Sequence, residues 1–146
     1  MAVTSNQALT IDIVTPERRV YSGPAEFVVL PGVEGELGIL RNHAPLLSRL
    51  RPGEIKISRR DAVEYCLITE GFLEVRANRV SVAAESAIMA PDINLQETTT
   101  ERDNALAEVS QAKDETARTR AETRLKQASM KLALAEKARR SGTEKK

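Results

Sequence analysis

The sequence predicts an α+β protein, with an N-terminal antiparallel β-sandwich followed by a C-terminal α-helical hairpin. Over residues 9–84, apolar residues alternate with polar ones in short runs, a pattern typical of strands that bury one face. Turn-forming residues separate these runs at short intervals, which indicates many short strands in a sandwich or flattened barrel. Residues 92–141 contain neither Gly nor Pro, and Ala, Glu, Lys, Arg and Gln dominate, which is a helix-forming composition. The predicted domains are therefore a sandwich over residues 1–90 and a helical hairpin over residues 91–146.

The strands follow in order from these alternations. Leu9, Ile11 and Ile13 alternate with polar residues and predict the first strand, and the apolar run 27–30 predicts another. Turns are predicted between the strands, for example at residues 22–24. No segment with a helical period interrupts them, which argues against a βαβ arrangement. Later strands are predicted around four pairs of apolar residues: Ile55 and Ile57, Tyr65 and Leu67, Leu73 and Val75, and Val80 and Val82.

The segment PGVEGELGILRNHAPL, residues 31–46, concentrates turn signals and charge. Its Gly and Pro residues predict a rigid loop at the tip of the sandwich. Two acidic residues, Glu34 and Glu36, flank Gly35, and the single histidine, His43, follows a few residues later. We interpret this loop as a docking surface, and the alternative is an acidic turn that only contacts solvent. For His43 two interpretations stay open, namely a side chain that bonds a neighbouring carbonyl and a contact at a subunit interface.

Two antiparallel helices are predicted at 95–112 and 116–139, with a frayed tail after residue 140. The break near residues 113–114 contains neither Gly nor Pro, so a single long helix is an alternative. Because an alanine-rich seam buries little area, one hypothesis is that docked and extended forms of the hairpin differ by on the order of a few kcal/mol, and the alternative is a permanent hairpin. In the second helix, apolar residues recur at spacings of four and three and form a seam for a partner helix: Ala121, Leu125, Ala128, Leu132 and Ala135.

Composition and charge argue against several function classes. Residues 1–100 carry 10 basic and 13 acidic residues, a net charge of −3, whereas residues 101–146 carry 12 and 8, a net charge of +4. The basic half has no aromatic residue for base stacking and interleaves acids with its bases, so no nucleic-acid partner is expected. No apolar run approaches the roughly 20 residues of a membrane-spanning helix, so no direct membrane insertion is expected.

No catalytic site, metal site or cofactor site is predicted. The chain has one histidine, His43, and one cysteine, Cys66, which by themselves form neither a His-based metal site nor a Cys–His pair. Cys66 lies in an apolar run and is expected to be a small buried residue. Gly32, Gly35 and Gly38 recur at a spacing of three, but they do not open a helix, as the glycines of phosphate-binding loops do.

The motif EGELGIL followed by NHAPLL, within residues 26–47, resembles the epsilon subunit of F-type ATP synthases, which is called delta in mitochondria. The segments LTIDIVTPERRVYSG, RPGEIKI and ITEGFLEVRANRVSVAAESA, together with the Ala-rich helical tail, extend the resemblance over nearly the whole chain. The resemblance implies a non-catalytic central-stalk subunit, whose sandwich packs on the gamma subunit and on the loops of the membrane-embedded c-ring. It places Glu34, Gly35, Glu36 and His43 in the region that faces the ring and gamma.

The resemblance also implies a regulatory role for the helices. In bacterial and chloroplast members of the family, the C-terminal helices can extend along gamma and inhibit ATP hydrolysis. In this chain the basic residues Arg118, Arg120, Arg124 and Lys126 would then contact acidic loops on the catalytic alpha and beta subunits.

Some relatives bind ATP on this hairpin through a motif of the form I/L-D-x-x-R-A, from which this chain departs. Ile93 matches the first position, but Asn94 replaces the acid, and Glu97 and Thr98 replace the Arg and Ala. ATP binding on the hairpin is therefore not expected, and no cofactor is predicted.

By the same resemblance, the chain is expected at the periphery of a membrane. The opening MAVTSNQ has no visible signal or transit peptide, which favours the cytoplasmic face of a bacterial inner membrane. An alternative interpretation is a free β-sandwich adaptor that binds a partner through its helical arm. Co-purification separates the two interpretations, because a stalk subunit should be recovered together with gamma and ring subunits.

Overall fold

The computed structural model describes residues 8–144 and confirms the predicted fold class. A short 3-10 turn, Ala90–Asp92, leads from the strands to two helices, α1 Leu95–Gln111 and α2 Glu115–Glu144. Within the described range there are ten strands: β1 Leu9–Val14, β2 Arg19–Ala25, β3 Phe27–Gly32, β4 Gly35–Leu40, β5 Leu46–Leu50, β6 Gly53–Ser58, β7 Val63–Ile68, β8 Gly71–Arg76, β9 Arg79–Ala84 and β10 Ala87–Met89.

The strands form one curled sheet in the order β10-β7-β6-β3-β5-β8-β9-β1-β2, and β4 pairs with β3 outside this path. Neighbouring strands are antiparallel except β1 and β9, which run parallel. Alternate side chains point to the inside of the curl, as the predicted alternations in β1, β6, β8 and β9 require. They meet in one aliphatic core, whose members include Ile11, Ile13, Val28, Leu30, Ile39, Ile55, Ile57, Leu73, Val75, Val80 and Val82.

Two segments predicted as a turn or a loop are strands. Residues 22–24 lie within β2 and pair with β1, and residues 35–40 form β4 and pair with β3. Each of these strands pairs with a neighbour on one side only. Gly and Pro are tolerated there because the other edge of the strand forms no hydrogen-bond ladder. The prediction of a loop over residues 31–46 is therefore wrong, since a β-hairpin occupies most of this segment.

The sandwich has two ends with different turns. At one end, here called the tip end, the β3–β4 hairpin turns at Val33 and Glu34. At the opposite end, here called the asparagine end, the β8–β9 hairpin turns at Ala77 and Asn78, which have positive φ values of 50° and 62°. Asn78 is buried, and its Oδ1 accepts a 2.6 Å hydrogen bond from the backbone N–H of Asn42. This bond ties the turn after β4 to the turn between β8 and β9.

The helices α1 and α2 pack against each other and are joined by residues 112–114, so the predicted antiparallel hairpin is confirmed. Two caps define its helix starts, because Asn94 accepts a 2.9 Å bond from the N–H of Glu97 and Asp114 accepts a 2.8 Å bond from the N–H of Ala117. The chain is therefore not one long helix in this structure. All members of the predicted seam are buried or half-buried: Ala121, Leu125, Ala128, Leu132 and Ala135.

The second half of α2 docks on the outer surface of the sandwich, over β7 and the 3-10 turn. Leu134 is only 2% exposed and packs in a cluster with Tyr65, Ala90 and Ile93. No corresponding cluster joins α1 to the sandwich among the described residues. The hairpin is therefore held on the sandwich by one half of one helix.

The helix α2 continues past residue 139, where the sequence predicted its end. Ala138 still packs against the docked cluster, and the hydroxyl of Tyr65 lies 3.3 Å from Oγ of Ser141. These contacts with the sandwich stabilise an additional turn that a purely local reading of the sequence does not anticipate. Of the tail predicted to fray, residues 145–146 lie outside the described residues.

Candidate functional site

The tip of the β3–β4 hairpin carries three of the residues predicted for an interface. Gly35 has a φ of +137°, which side-chain-bearing residues rarely adopt, and a Cβ on Gly32 would lie 2.6 Å from the carbonyl oxygen of Gly35. The two glycines allow the strands to close tightly, and Glu34 and Glu36 are exposed on either side of Gly35. The tip is therefore a narrow acidic turn that a partner can approach from several directions.

His43 does not lie beside the tip. The six residues of β4 separate the two, and at about 3.3 Å per residue they carry the chain roughly 17 Å toward the asparagine end. The Nδ1 atom of His43 lies 2.7 Å from the carbonyl oxygen of Ala44, and its backbone N–H donates a 3.2 Å bond to Leu40. The four predicted interface residues thus fall at opposite ends of the sandwich. The bond to Ala44 agrees with the local interpretation of His43, and its contact with a partner stays a prediction.

An apolar surface that sequence reasoning missed lies on the outside of β5, β8, β9 and β1. Leu47 is 77% exposed and Phe72 is 63% exposed, the two highest values among the large apolar residues described. Val14 is exposed as well, and Val33 extends the surface to the tip end, where its N–H donates a 3.1 Å bond to the carbonyl of Arg49. Contiguous exposed apolar groups mark interaction sites, whereas scattered ones need no explanation.

Strand register brings these side chains together from distant parts of the sequence. Phe72 pairs with Arg49 on β5 and with Ala83 on β9, and Ala83 pairs with Val14 on β1. Leu47 lies two residues before Arg49, on the same side of β5, and is therefore the diagonal neighbour of Phe72. We call the surface formed by Val14, Val33, Leu47, Phe72 and Ala83 the apolar face. Two charged residues, Arg49 and Glu74, lie on the same side as register partners of Phe72 and Leu47.

Two groups with raised pKa values have structural explanations. The Tyr21 hydroxyl donates a 2.8 Å bond to Glu64, which also pairs with Arg59 at 2.8 Å. Burial and the bond to Glu64 raise the pKa of Tyr21 to about 12, and these contacts tie β2 to β7 where the curled sheet closes.

Burial raises the pKa of the Cys66 thiol to about 12, so this side chain stays protonated and unreactive at neutral pH. Cys66 is fully buried, as predicted.

A polar contact accompanies Leu134 where α2 docks on the sandwich. The Nζ of Lys137 lies 2.5 Å from Oε1 of Glu54 and 5.5 Å from the centre of the Tyr65 ring. The hydrogen bond to Glu54 raises the pKa of Lys137. Because Lys137 is half exposed, solvent screens this pair, and the burial of Leu134 contributes more to docking.

The four basic residues predicted to contact catalytic subunits lie on α2, ahead of its docked half. Arg118, Arg120 and Lys126 are exposed. Arg124 is exposed too, but it forms an ion pair with Glu108 of α1, in which its Nη1 lies 3.3 Å from Oε2 of the glutamate. An exposed pair of this kind is worth at most about 1 kcal/mol, so Arg124 can exchange it for another partner at little cost.

The residues that replace the ATP-binding motif support the start of α1. Asn94 is the N-cap, and Glu97 supplies the N–H that Asn94 accepts. Thr98 is buried, and its hydroxyl donates a 2.7 Å bond to the carbonyl of Asn94. The side chains of Asn94 and Thr98 thus support the start of α1, whereas Glu97 contributes only its backbone N–H. The absence of ATP binding stays a prediction.

The described residues thus present three surfaces, namely the acidic tip, the apolar face and the basic side of α2. Within residues 8–144, no three His, Cys, Asp or Glu side chains lie close enough together to hold a metal ion. Neither of the two helices in this range combines the length and the apolar character that a membrane crossing requires.

The sandwich that bears these surfaces matches a known domain. The family model for the beta-sandwich domain of ATP synthase delta/epsilon chains matches residues 8–90. The ATP synthase epsilon chain 2 of Ralstonia nicotianae is 42% identical over 135 residues, which cover 90% of this chain and 96% of that relative. The ATP synthase epsilon chain of Bordetella parapertussis is 44% identical over 107 residues, which cover 73% of this chain and 76% of that relative. The chain therefore belongs to the ATP synthase epsilon chain family.

Two solved structures share the fold. One is a chain of the Euglena gracilis mitochondrial ATP synthase, from a structure of OSCP, F1 and c-ring, with a TM-score of 0.67, 21% identity and coverage of 81% of this chain and 75% of that chain. The other, from the central stalk and c-ring of the Tetrahymena thermophila mitochondrial ATP synthase, has a TM-score of 0.58, 16% identity and coverage of 88% and 97%. At these identities the likeness shows the fold alone.

Proposed function

We propose that the chain is a non-catalytic rotor subunit of the central stalk, which docks by its sandwich on the gamma subunit and the c-ring and passes rotation between them. The apolar face is the observation that carries this proposal. It exposes large apolar side chains on a rigid sheet. A subunit that transmits torque needs a contact that does not slip, which such a surface can provide. The family membership supports other subunits of an ATP synthase as the partners.

Gamma is the partner proposed for the apolar face. Burying a large apolar side chain contributes about 1.5–3 kcal/mol, so Leu47 and Phe72 together can dominate the binding energy of an interface. His43 lies on the segment that leads into β5, the strand that carries Leu47, and is proposed to border this contact.

The c-ring is the partner proposed for the acidic tip. Glu34 and Glu36 can form charge-assisted hydrogen bonds with basic or amide side chains on ring loops, and the tight turn at Gly35 holds both carboxylates at a defined position. The tip end and the apolar face meet at Val33, so one sandwich can contact ring and gamma at the same time.

Substitution of the apolar face should weaken binding to gamma. We expect Leu47→Asp and Phe72→Asp each to raise the Kd for purified gamma at least tenfold, because each change removes a buried apolar contact and brings an unpaired charge into the interface. Binding is measured by titration of labelled full-length chain with gamma, after thermal unfolding has shown that each variant is folded.

Leu106→Asp is the matched control, since Leu106 is also an exposed leucine but lies on α1, away from the sandwich. Its Kd for gamma should equal that of the unchanged protein. If all three variants bind alike, gamma does not use the apolar face. If the unchanged protein does not bind folded gamma, the stalk function fails and the adaptor interpretation becomes the better account.

The helical hairpin is proposed to restrain ATP hydrolysis. The exposed basic side of α2 supports this, because Arg118, Arg120 and Lys126 are available to acidic loops on catalytic alpha and beta subunits, and Arg124 becomes available when its exposed pair with Glu108 opens. Deletion of residues 92–146 should therefore raise ATP hydrolysis by the assembled enzyme several-fold. A rate equal to that of the intact enzyme would exclude the inhibitory role here.

The proposed location follows from these partners. A subunit bound to gamma and the c-ring is held peripherally at a membrane through other proteins. The cytoplasmic face of a bacterial membrane is proposed because the relatives described above at 42% and 44% identity are bacterial epsilon chains. Fractionation of cells should recover the chain with membranes, and removal of the catalytic head and stalk should release it.

A further inference from the structure

Two arginines face each other at the end of the β8–β9 hairpin. Arg76 and Arg79 are register partners, on either side of the turn at Ala77 and Asn78. Directly opposed side chains on neighbouring antiparallel strands have Cβ atoms about 5 Å apart, and like charges at this distance destabilise the pair. The free chain therefore carries an unfavourable contact at this position.

Both arginines point to the same side of the sheet as the apolar face. Leu73 and Val75 of β8 and Val80 of β9 lie in the core, so the alternating positions Arg76 and Arg79 point outward, as Phe72 does. Both are exposed, and the two lie at the asparagine end of the surface whose apolar part begins at Leu47 and Phe72.

No acidic group of the described residues neutralises this pair. Neither Arg76 nor Arg79 forms an ion pair with residues 8–144. The acids on the same outer surface are Glu74, which pairs in register with Leu47 on β5 and with Ser81 on β9, and Asp12, which accepts a 2.5 Å bond from Ser22. Two exposed arginines that form no ion pair among residues 8–144 thus border the apolar face.

We propose that Arg76 and Arg79 form a cationic rim that binds carboxylates on the protein covering the apolar face. The partner surface then consists of apolar groups opposite Leu47 and Phe72, bordered by Asp or Glu residues on the side of the β8–β9 turn. Arginine suits this role because its guanidinium binds a carboxylate through two parallel hydrogen bonds. The rim also orients the partner, since opposite charges at an interface border mainly accelerate association and set its direction. This inference rests on the proposed docking of gamma on the apolar face and specifies its chemistry.

Arg79→Glu tests the rim, because it has opposite effects on the free chain and on the complex. In the free chain it replaces a like-charge pair with an opposite-charge pair, so the melting temperature should rise. Association with purified gamma, followed by stopped-flow fluorescence in low salt, should slow at least tenfold, and the difference should shrink in high salt. Arg76→Glu should give the same pair of results.

Arg60→Glu is the matched control. Arg60 is an exposed arginine between β6 and β7, outside the strands that carry the apolar face, and its substitution should leave the association rate unchanged. If Leu47→Asp weakens binding while Arg79→Glu and Arg60→Glu associate at equal rates, the rim is wrong and the docking proposal stands. If the unchanged protein does not bind gamma at all, both proposals are overturned.

Discussion

Gly71→Ala is expected to destabilise the sandwich by about 3 kcal/mol, at the upper end of the range for added atoms in a packed interior. A Cβ at this position would lie 2.4 Å from the carbonyl oxygen of Ala83 and 2.9 Å from Cα of Ala84. Both atoms belong to the backbone of β9, and Gly71 pairs with Ala84 in register. The neighbour therefore cannot move aside unless β8 and β9 separate, and those strands connect β5 to β1 in the sheet.

Urea unfolding of the full chain measures this effect as a shift of the midpoint. Gly23→Ala is the control, since its Cβ would first meet the Tyr21 hydroxyl at 3.3 Å, and a side chain yields more readily than a backbone. We expect it to change stability by less than about 1 kcal/mol. Equal losses in the two variants would show that the close approach at Gly71 does not constrain the sheet.

Leu134→Ala is expected to release the second half of α2 from the sandwich. Removing a buried leucine side chain costs about 2–5 kcal/mol, and Leu134 is 2% exposed and central to the docked cluster. The accompanying pair between Lys137 and Glu54 is too exposed to compensate for this loss. The sandwich core is a separate cluster, so it should remain folded when the helix leaves.

Hydrogen exchange distinguishes release of the helix from global unfolding. The amides of residues 130–141 should lose most of their protection in the variant, while those of β8 and β9 keep theirs. Leu106→Ala is the control, because Leu106 is 56% exposed on α1 and its truncation should leave exchange unchanged. Full protection of residues 130–141 in the Leu134 variant would mean that other contacts hold the helix in place.

Sequence reasoning found the strands that bury one face and contain few Gly or Pro residues. Leu9, Ile11 and Ile13 alternate so regularly that local pattern alone locates β1. Strands β2 and β4 were missed because their Gly and Pro residues predict turns when the sequence is considered locally. At the edge of a sheet, pairing with the neighbouring strand determines whether such a segment is extended. Strands β5 and β10 were missed because their short runs carry little periodic signal.

The candidate site was harder to predict because it depends on these missed strands. The separation of His43 from the tip follows only once residues 35–40 are known to be extended. The apolar face left one trace in the sequence, since Phe72 precedes the core residue Leu73 and therefore points outward. That Phe72 lies beside Leu47 can be inferred only from the register of β5 and β8. Leu134 lies outside the predicted seam, because it packs on the sandwich and not on α1.

The parallel pairing of β1 with β9 sets the moment during synthesis at which this domain can fold. The partner of β1, which ends at residue 14, is complete only at residue 84, so about 70 further residues must be made. The β1–β2 hairpin is complete at residue 25, so at roughly 5–20 residues per second it exists with an open edge for about 3–12 seconds before β9 is complete. Open edges pair readily with other chains, so the nascent protein needs shielding in this interval, and a fast-emerging β9 shortens it.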